Sequence, residues 1–271
     1  MSVEIVQKSL LNILEAITDA VVAGKRCRLV AVGKTKPAEL IEACYAKGQR
    51  HFGENYVQEL EEKSAKLQNS CPDIRWHFIG QVQSNKISKI VNSPGIYCIE
   101  TVENEKHAQL FDKEWSKKQQ TDKLRVLVQV NTSGEANKGG IMPAEAPKLA
   151  EFIRKSCENL RFDGFMTIGS FDNSHSGDVN PDFQSLFQVR KSWAQETGNF
   201  LFLRSKKSQT FTASTGAACH KNECSPILAA CGVSFALASK TVRISFGRWT
   251  EMEEIDKVVA ELVQLCTPKS N

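Results

Sequence analysis

A lysine placed directly after a short apolar run has the clearest chemistry to offer in this chain. Residues 29–32 read as a buried strand, Gly33 ends it, and Lys34 follows. An amine set at the carboxyl end of a strand can capture an aldehyde as a Schiff base, once its surroundings lower its pKa enough to free it. Thr35 and Pro37 then open a helix, because proline is accepted in a helix's first turn. Other side chains able to touch a ligand close similar runs: Asn55 beside Glu54, then Gln81, Asn131 and Met166. Asn55 is favoured as a ligand contact, since an amide hydrogen-bonds without titrating. Glu54 reads as an acid or a capping group, Met166 as an apolar wall, and His77 as a core or supporting histidine. Asn131-Thr132-Ser133-Gly134 has the composition of a turn.

A second group lies far along the chain: Cys219, His220, Cys224 and Cys231. Their spacing matches no zinc-finger pattern, so no metal site is expected. Cys219 reads instead as a reactive thiol, in a small glycine-bearing loop ahead of a helix start near Ser225-Pro226, a setting that lowers thiol pKa.

Regular elements must position these groups. Strand-like runs recur at residues 51–53, 74–79, 96–99, 124–130 and 162–168, each leading into a polar loop and then a helical pattern. Val57, Leu60 and Leu67 mark one helix; Ile87, Ile90 and Val91 mark another, with Ser84 as its cap. Strands alternating with helices at this pace predict an α/β fold of the (β/α)8 TIM-barrel type, with six clear β/α units. The last third is atypical, and the barrel is expected to be incomplete there. Functional residues of such barrels sit on the loops after the strands, which puts Lys34, Asn55, Gln81, Asn131 and Met166 on one rim.

The segments VAVGKTKP, HFGENYVQEL, WHFIGQVQSNK, QVNTSGEANKGGI, GFMTIGS and NPDFQSLF, taken together, resemble the pyridoxal phosphate homeostasis proteins. Those are single-domain barrels similar to the amino-terminal domain of alanine racemase. The resemblance implies that Lys34 carries pyridoxal 5′-phosphate as an internal aldimine; Asn55 and Met166, by their residue types at neighbouring strand ends, are expected as further cofactor contacts. It implies a role in holding the cofactor and delivering it by transient transfer to dependent enzymes, with no established turnover. Gly33 departs from the family's usual serine and costs a hydroxyl beside the lysine.

The resemblance ends near Trp193. Family members continue with two loops that bind the cofactor phosphate through backbone N–H groups and a helix N-terminus. Here the chain has TASTGAACHKNECSPILAACGV and KTVRISFGRWTEMEEIDKVVAELVQL instead, which look like the carboxyl-terminal end of selenocysteine lyase and the cysteine desulfurases. By that resemblance Cys219 falls on the catalytic cysteine and Arg243 on the arginine for the substrate carboxylate. The organisation expected is a cofactor-binding barrel over 1–193, a join over 194–209 and a desulfurase-like segment over 210–271. Two other readings accompany the leading one: a desulfurase- or lyase-related fragment, which would lack the large domain with its own lysine, and a fusion without function. As a structural alternative, residues 209–213 and KTVRISFG serve as seventh and eighth barrel strands. Charge-assisted hydrogen bonds contribute on the order of 1.5–3 kcal/mol each, so a barrel short of two phosphate donors should react with the cofactor and hold it loosely.

Composition bounds the rest. With 35 basic and 31 acidic residues interspersed, and a short basic stretch at 204–207 without stacking aromatics, no nucleic-acid partner is expected. No apolar run reaches membrane-spanning length. Val3, Val6, Leu10, Leu14, Ile17 and Val21 recur at helical spacing among acidic residues, which favours a first helix packed on the barrel over a targeting peptide. Nine scattered cysteines point to a reducing compartment, the cytoplasm in the first place and the mitochondrion as the alternative. Residues 252–265 predict an amphipathic helix.

Overall fold

The computed structural model describes residues 2–20, 26–135, 138–170, 180–197, 210–215 and 242–246. Cys219, His220, Cys224, Cys231 and the helix expected over 252–265 lie outside them, as does most of the join.

Strands and helices alternate as the hydrophobic pattern demands. After helix α1 (Val3–Ala20) come β1 (Arg26–Val32), α2 (Ala38–Tyr45), β2 (His51–Glu54), α3 (Val57–Leu67), β3 (Arg75–Phe78), α4 (Ile87–Asn92) and β4 (Ile96–Val102). Then follow α5 (Glu105–Ser116), β5 (Leu124–Gln129), α6 (Ala146–Ser156), β6 (Leu160–Met166) and α7 (Pro181–Glu196). β1 to β6 pair in chain order, each parallel to the next. Parallel strands need crossovers, and the intervening helices supply them.

Two further strands extend the sheet past β1. β7 (Thr210–Thr215) runs parallel to β1, with Arg28 opposite Thr212 and Val30 opposite Ser214. β8 (Val242–Phe246) pairs with β7 and runs antiparallel, with Arg243 opposite Ser214. The seventh strand in sequence therefore lies beside β1, where an (β/α)8 barrel has its eighth, and the last strand reverses direction. β8 comes against β6 without forming a ladder to it. Register alone cannot be read from apolar alternation, and this reversal is the difference from the expected order.

The core forms where the sheet meets its helices. Phe52, Trp76, Phe78, Ile99, Val126, Val128 and Phe162 project from the strands onto Leu60, Ile90, Phe111, Ile153, Leu186 and Trp193 of the helices. Val6, Leu10, Ile13, Leu14 and Ile17 bring α1 against that core, as their helical spacing predicts. Side chains on the other strand face form a smaller cluster of Cys98, Leu127 and Met166, with Tyr97 against it. Ser84 does not cap α4: Gln83 precedes a 3₁₀ turn over Ser84–Lys86 that leads into the helix. α7 begins as its NPD sequence suggests, with the Asn180 side chain accepting from the backbone N–H groups of Asp182 and Phe183.

Candidate functional site

Because β1 to β6 are parallel, their carboxyl ends share one rim. Lys34 follows β1, Asn55 follows β2, Gln81 lies after β3, Asn131 after β5, and Met166 ends β6. Sequence reasoning expected that grouping. The manner in which the Lys34 turn is held was not expected.

Lys34 is half-buried in a tight turn: Gly33 donates its N–H to the Gly53 carbonyl at 2.9 Å, and Lys36 donates back to the Gly33 carbonyl at 2.9 Å. Thr35 sits in the left-handed region at φ 62°, a conformation that costs about 1 kcal/mol or more outside glycine. The strain is held by α3. The Thr35 N–H donates to Glu59 Oε2 at 2.8 Å. Lys63 donates to the Gly33 carbonyl at 2.7 Å, to Glu54 Oε1 at 2.8 Å and to Glu59 Oε2 at 2.5 Å. One buried ammonium thus satisfies three acceptors, which is as many as its protons allow.

Glu54 belongs to this clamp and not to the ligand face. Its side chain is fully buried on the same strand face as Phe52, toward the helices. Burial pushes its carboxyl up to about 7, with Lys63 pulling it back. Its second oxygen, Oε2, has no hydrogen-bond partner, and the same holds for the buried Oδ1 of Asn55. Gly33 has a local reason in this packing: a Cβ there would come 2.6 Å from Glu54 Oε1 and 2.9 Å from Ile41 Cδ1. A serine at that place requires the clamp to shift.

The remaining rim is tied together from neighbouring loops. A Cβ on Gly80 would run into the Asn55 carbonyl, so only glycine lets the loop after β3 pass that close. The Thr101 hydroxyl then donates to the Gly80 carbonyl at 2.6 Å. Asn131 spends its side chain on its own loop: Nδ2 donates to the Glu135 carbonyl at 2.9 Å, and Oδ1 accepts from the Gly134 N–H at 3.0 Å. Lys138 bridges that loop to the next by donating to the Gly169 carbonyl at 2.6 Å. Asp182, fully buried in the first turn of α7, accepts from the Thr132 hydroxyl and from the Ser170 N–H, both at 2.7 Å. Met166 is fully buried against Cys98 and Leu127 as an apolar wall. His77 is buried too, and its Nδ1 lies 2.7 Å from Glu100 Oε1, well below the rim. Lys63 was missed, although its place on the buried helical face with Leu60, Ser64 and Leu67 was a sequence-level signal.

Lys34 differs from Lys63 in one chemical respect. Among the described residues no carboxylate pairs with it, whereas Lys63 is saturated. A half-buried amine in a fixed turn suits a ligand that carries an electrophilic carbon, and the buried Asn55 oxygen without a partner, at the end of the next strand, suits a hydrogen-bond donor.

The alanine racemase N-terminal domain family matches residues 11–226. A pyridoxal phosphate homeostasis protein of Caenorhabditis elegans is 73% identical over 202 residues, covering 73% of this chain and 83% of that protein. The Mus musculus protein of the same name is 47% identical over 173 residues, and the chain spans 63% of its length. Among solved structures, PipY of Synechococcus elongatus PCC7942, determined with PLP bound, superposes with a TM-score of 0.53 at 26% identity, covering 69% of this chain and 84% of that one.

Proposed function

This chain belongs to the alanine racemase N-terminal domain family, with pyridoxal phosphate homeostasis proteins as its relatives, and from that premise we propose that it binds pyridoxal 5′-phosphate as part of cofactor homeostasis. The observation that carries the reading is Lys34: a half-buried amine without a carboxylate partner among the described residues, in a turn locked by α3. The cofactor, when bound, supplies an aldehyde for a lysine amine and a ring able to take up electrons.

In this reading Lys34 holds the cofactor as a Schiff base, Asn55 offers its unpartnered amide oxygen, and Met166 walls the apolar side. Lys63, Glu54 and Glu59 do not touch the ligand; they keep the turn in place. The chain acts as a carrier that passes its cofactor to dependent enzymes, and it works in the cytoplasm, where the buried free thiols of Cys44, Cys71, Cys98 and Cys157 would persist. Residues 1–193 make the barrel part, 194–209 the join and 210–271 a segment that includes Cys219 and Arg243. The family's match to residue 226 favours the barrel protein over the lyase-related fragment as the description of the whole.

Borohydride reduction of the loaded full chain, followed by peptide mapping, tests the assignment. A phosphopyridoxyl group on Lys34, absent in Lys34→Ala, is the expected result; a label on another lysine with Lys34 unmodified would overturn it. Dialysis addresses retention separately, and the expected outcome is loss of unreduced cofactor within the dialysis.

A further inference from the structure

Opposite the Lys34 rim, at the amino ends of the same strands, arginines gather around one tyrosine. Arg28 of β1, Arg75 of β3 and Arg125 of β5 place their guanidinium carbons 5.8, 5.2 and 4.7 Å from the centre of the Tyr97 ring. His51, the first residue of β2, meets the same ring at 5.1 Å. A strand length, about 20 Å, separates this mouth from Lys34.

The charges here do not balance among the described residues. Asp163 accepts from Arg125 at 2.9 Å and from Arg161 at 2.6 Å, so its two oxygens are taken. Among the described residues no carboxylate pairs with Arg28 or Arg75; Arg75 hydrogen-bonds the Nε2 of His51 at 3.5 Å. Arginine has only donors, so that nitrogen must accept. His51 Nδ1–H then donates to His77 Nε2 at 2.8 Å, and His77 Nδ1–H donates to Glu100 Oε1 at 2.7 Å. This relay leaves Glu100 buried beneath the two rings. Burial first, then His77 and the three arginines, push the His51 ring down to about 2, as an uncompensated positive field would. Cation–π contact offsets part of such a field but does not neutralise it.

We propose that this mouth is a binding site for a small oxyanion, phosphate or a phosphate-bearing metabolite, held by Arg28 and Arg75 over the Tyr97 ring with Arg125 behind it. Planar guanidinium forks are matched to phosphate oxygens, and those of Arg28 and Arg75 have donors to give. His77, Cys98 and Glu100 lie close enough together to suggest a metal instead. Three guanidinium groups around the same ring disfavour a cation, and burial pushes the Cys98 thiol up, away from the thiolate a metal needs.

The test is calorimetric titration of the full chain with inorganic phosphate at low ionic strength, against chloride at matched ionic strength. Saturable phosphate binding should survive in Lys34→Ala and weaken about tenfold or more in Arg28→Gln and in Arg75→Gln, the scale of one charge-assisted hydrogen bond. Binding no stronger than chloride's, or binding lost in Lys34→Ala and kept in both arginine variants, would overturn the proposal. Histidine ring NMR of the unmodified chain gives an answer that needs no variant: phosphate should move the His51 resonances and raise its pKa, and unmoved resonances at saturation would overturn the site equally.

Discussion

Lys63 is the residue on which the Lys34 turn depends. Replacing it with methionine leaves Glu54 buried without its counter-charge and the Gly33 carbonyl without its donor. Removing one partner of a buried ion pair costs about 3–5 kcal/mol, so Lys63→Met should show that loss in urea denaturation, together with slower labelling at Lys34. Glu54 adds a pH dependence of known sign. Its carboxyl is raised from 4.5 to about 7, so between those values the folded protein keeps a proton that the unfolded chain releases. Stability from this group is therefore greatest at low pH and falls as pH rises through that window, by about 3 kcal/mol in all. Glu54→Gln should remove that slope, which denaturation at a series of pH values would reveal. His51 acts in the opposite sense: lowered from 6.5 to about 2, it loses stability as pH falls below 6.5, because the unfolded chain then takes up the proton first.

Among the elements, the loop after β3 and the start of α7 hold the rim most directly. Gly80→Ala forces a methyl group into the Asn55 backbone, which cannot yield as a flexible side-chain tip could. Its expected cost exceeds about 3 kcal/mol, measurable by thermal unfolding, and Gly134→Ala is the control: it has open space and pays only for its φ of 71°. Helix and strand identity was largely legible at this scale. The spacing of Val57, Leu60 and Leu67 matches α3, and the apolar run at 29–32 falls within β1. Strand ends were less legible. The run expected at 96–99 continues to Val102, since Glu100 and Thr101 are buried by bonding within the barrel, which polarity alone conceals.

The described residues share one sheet–helix core and are expected to unfold as one unit. Trp76 on β3, Trp115 on α5 and Trp193 on α7 are all buried in it, and they are three of the four tryptophans of the chain. Iodide should therefore quench little of the native fluorescence of these three, and they should become accessible in the same transition that removes the far-ultraviolet helical signal. Separate transitions for fluorescence and helix would mean that the core is divided. The two mouths of the sheet carry different chemistry: the Lys34 amine and an unpartnered Asn55 oxygen at the carboxyl ends, and three guanidinium groups around Tyr97 at the amino ends.

By itself the sequence determined the α/β alternation, the placing of Lys34, Asn55, Gln81, Asn131 and Met166 at strand ends, and the kinship with cofactor-homeostasis proteins. Those follow from local periodicity, turn composition and motifs that survive as strings. The tertiary structure alone decided that Glu54 faces α3 and not a ligand, that Lys63 saturates Gly33, Glu54 and Glu59 together, and that four strands bring Arg28, Arg75, Arg125 and Tyr97 to one mouth. It also set β7 beside β1 and turned β8 antiparallel. The physical reason is common to all of these: a side-chain period says which face a residue takes, whereas its partner depends on the register of strands and helices distant along the chain, and only packing fixes that.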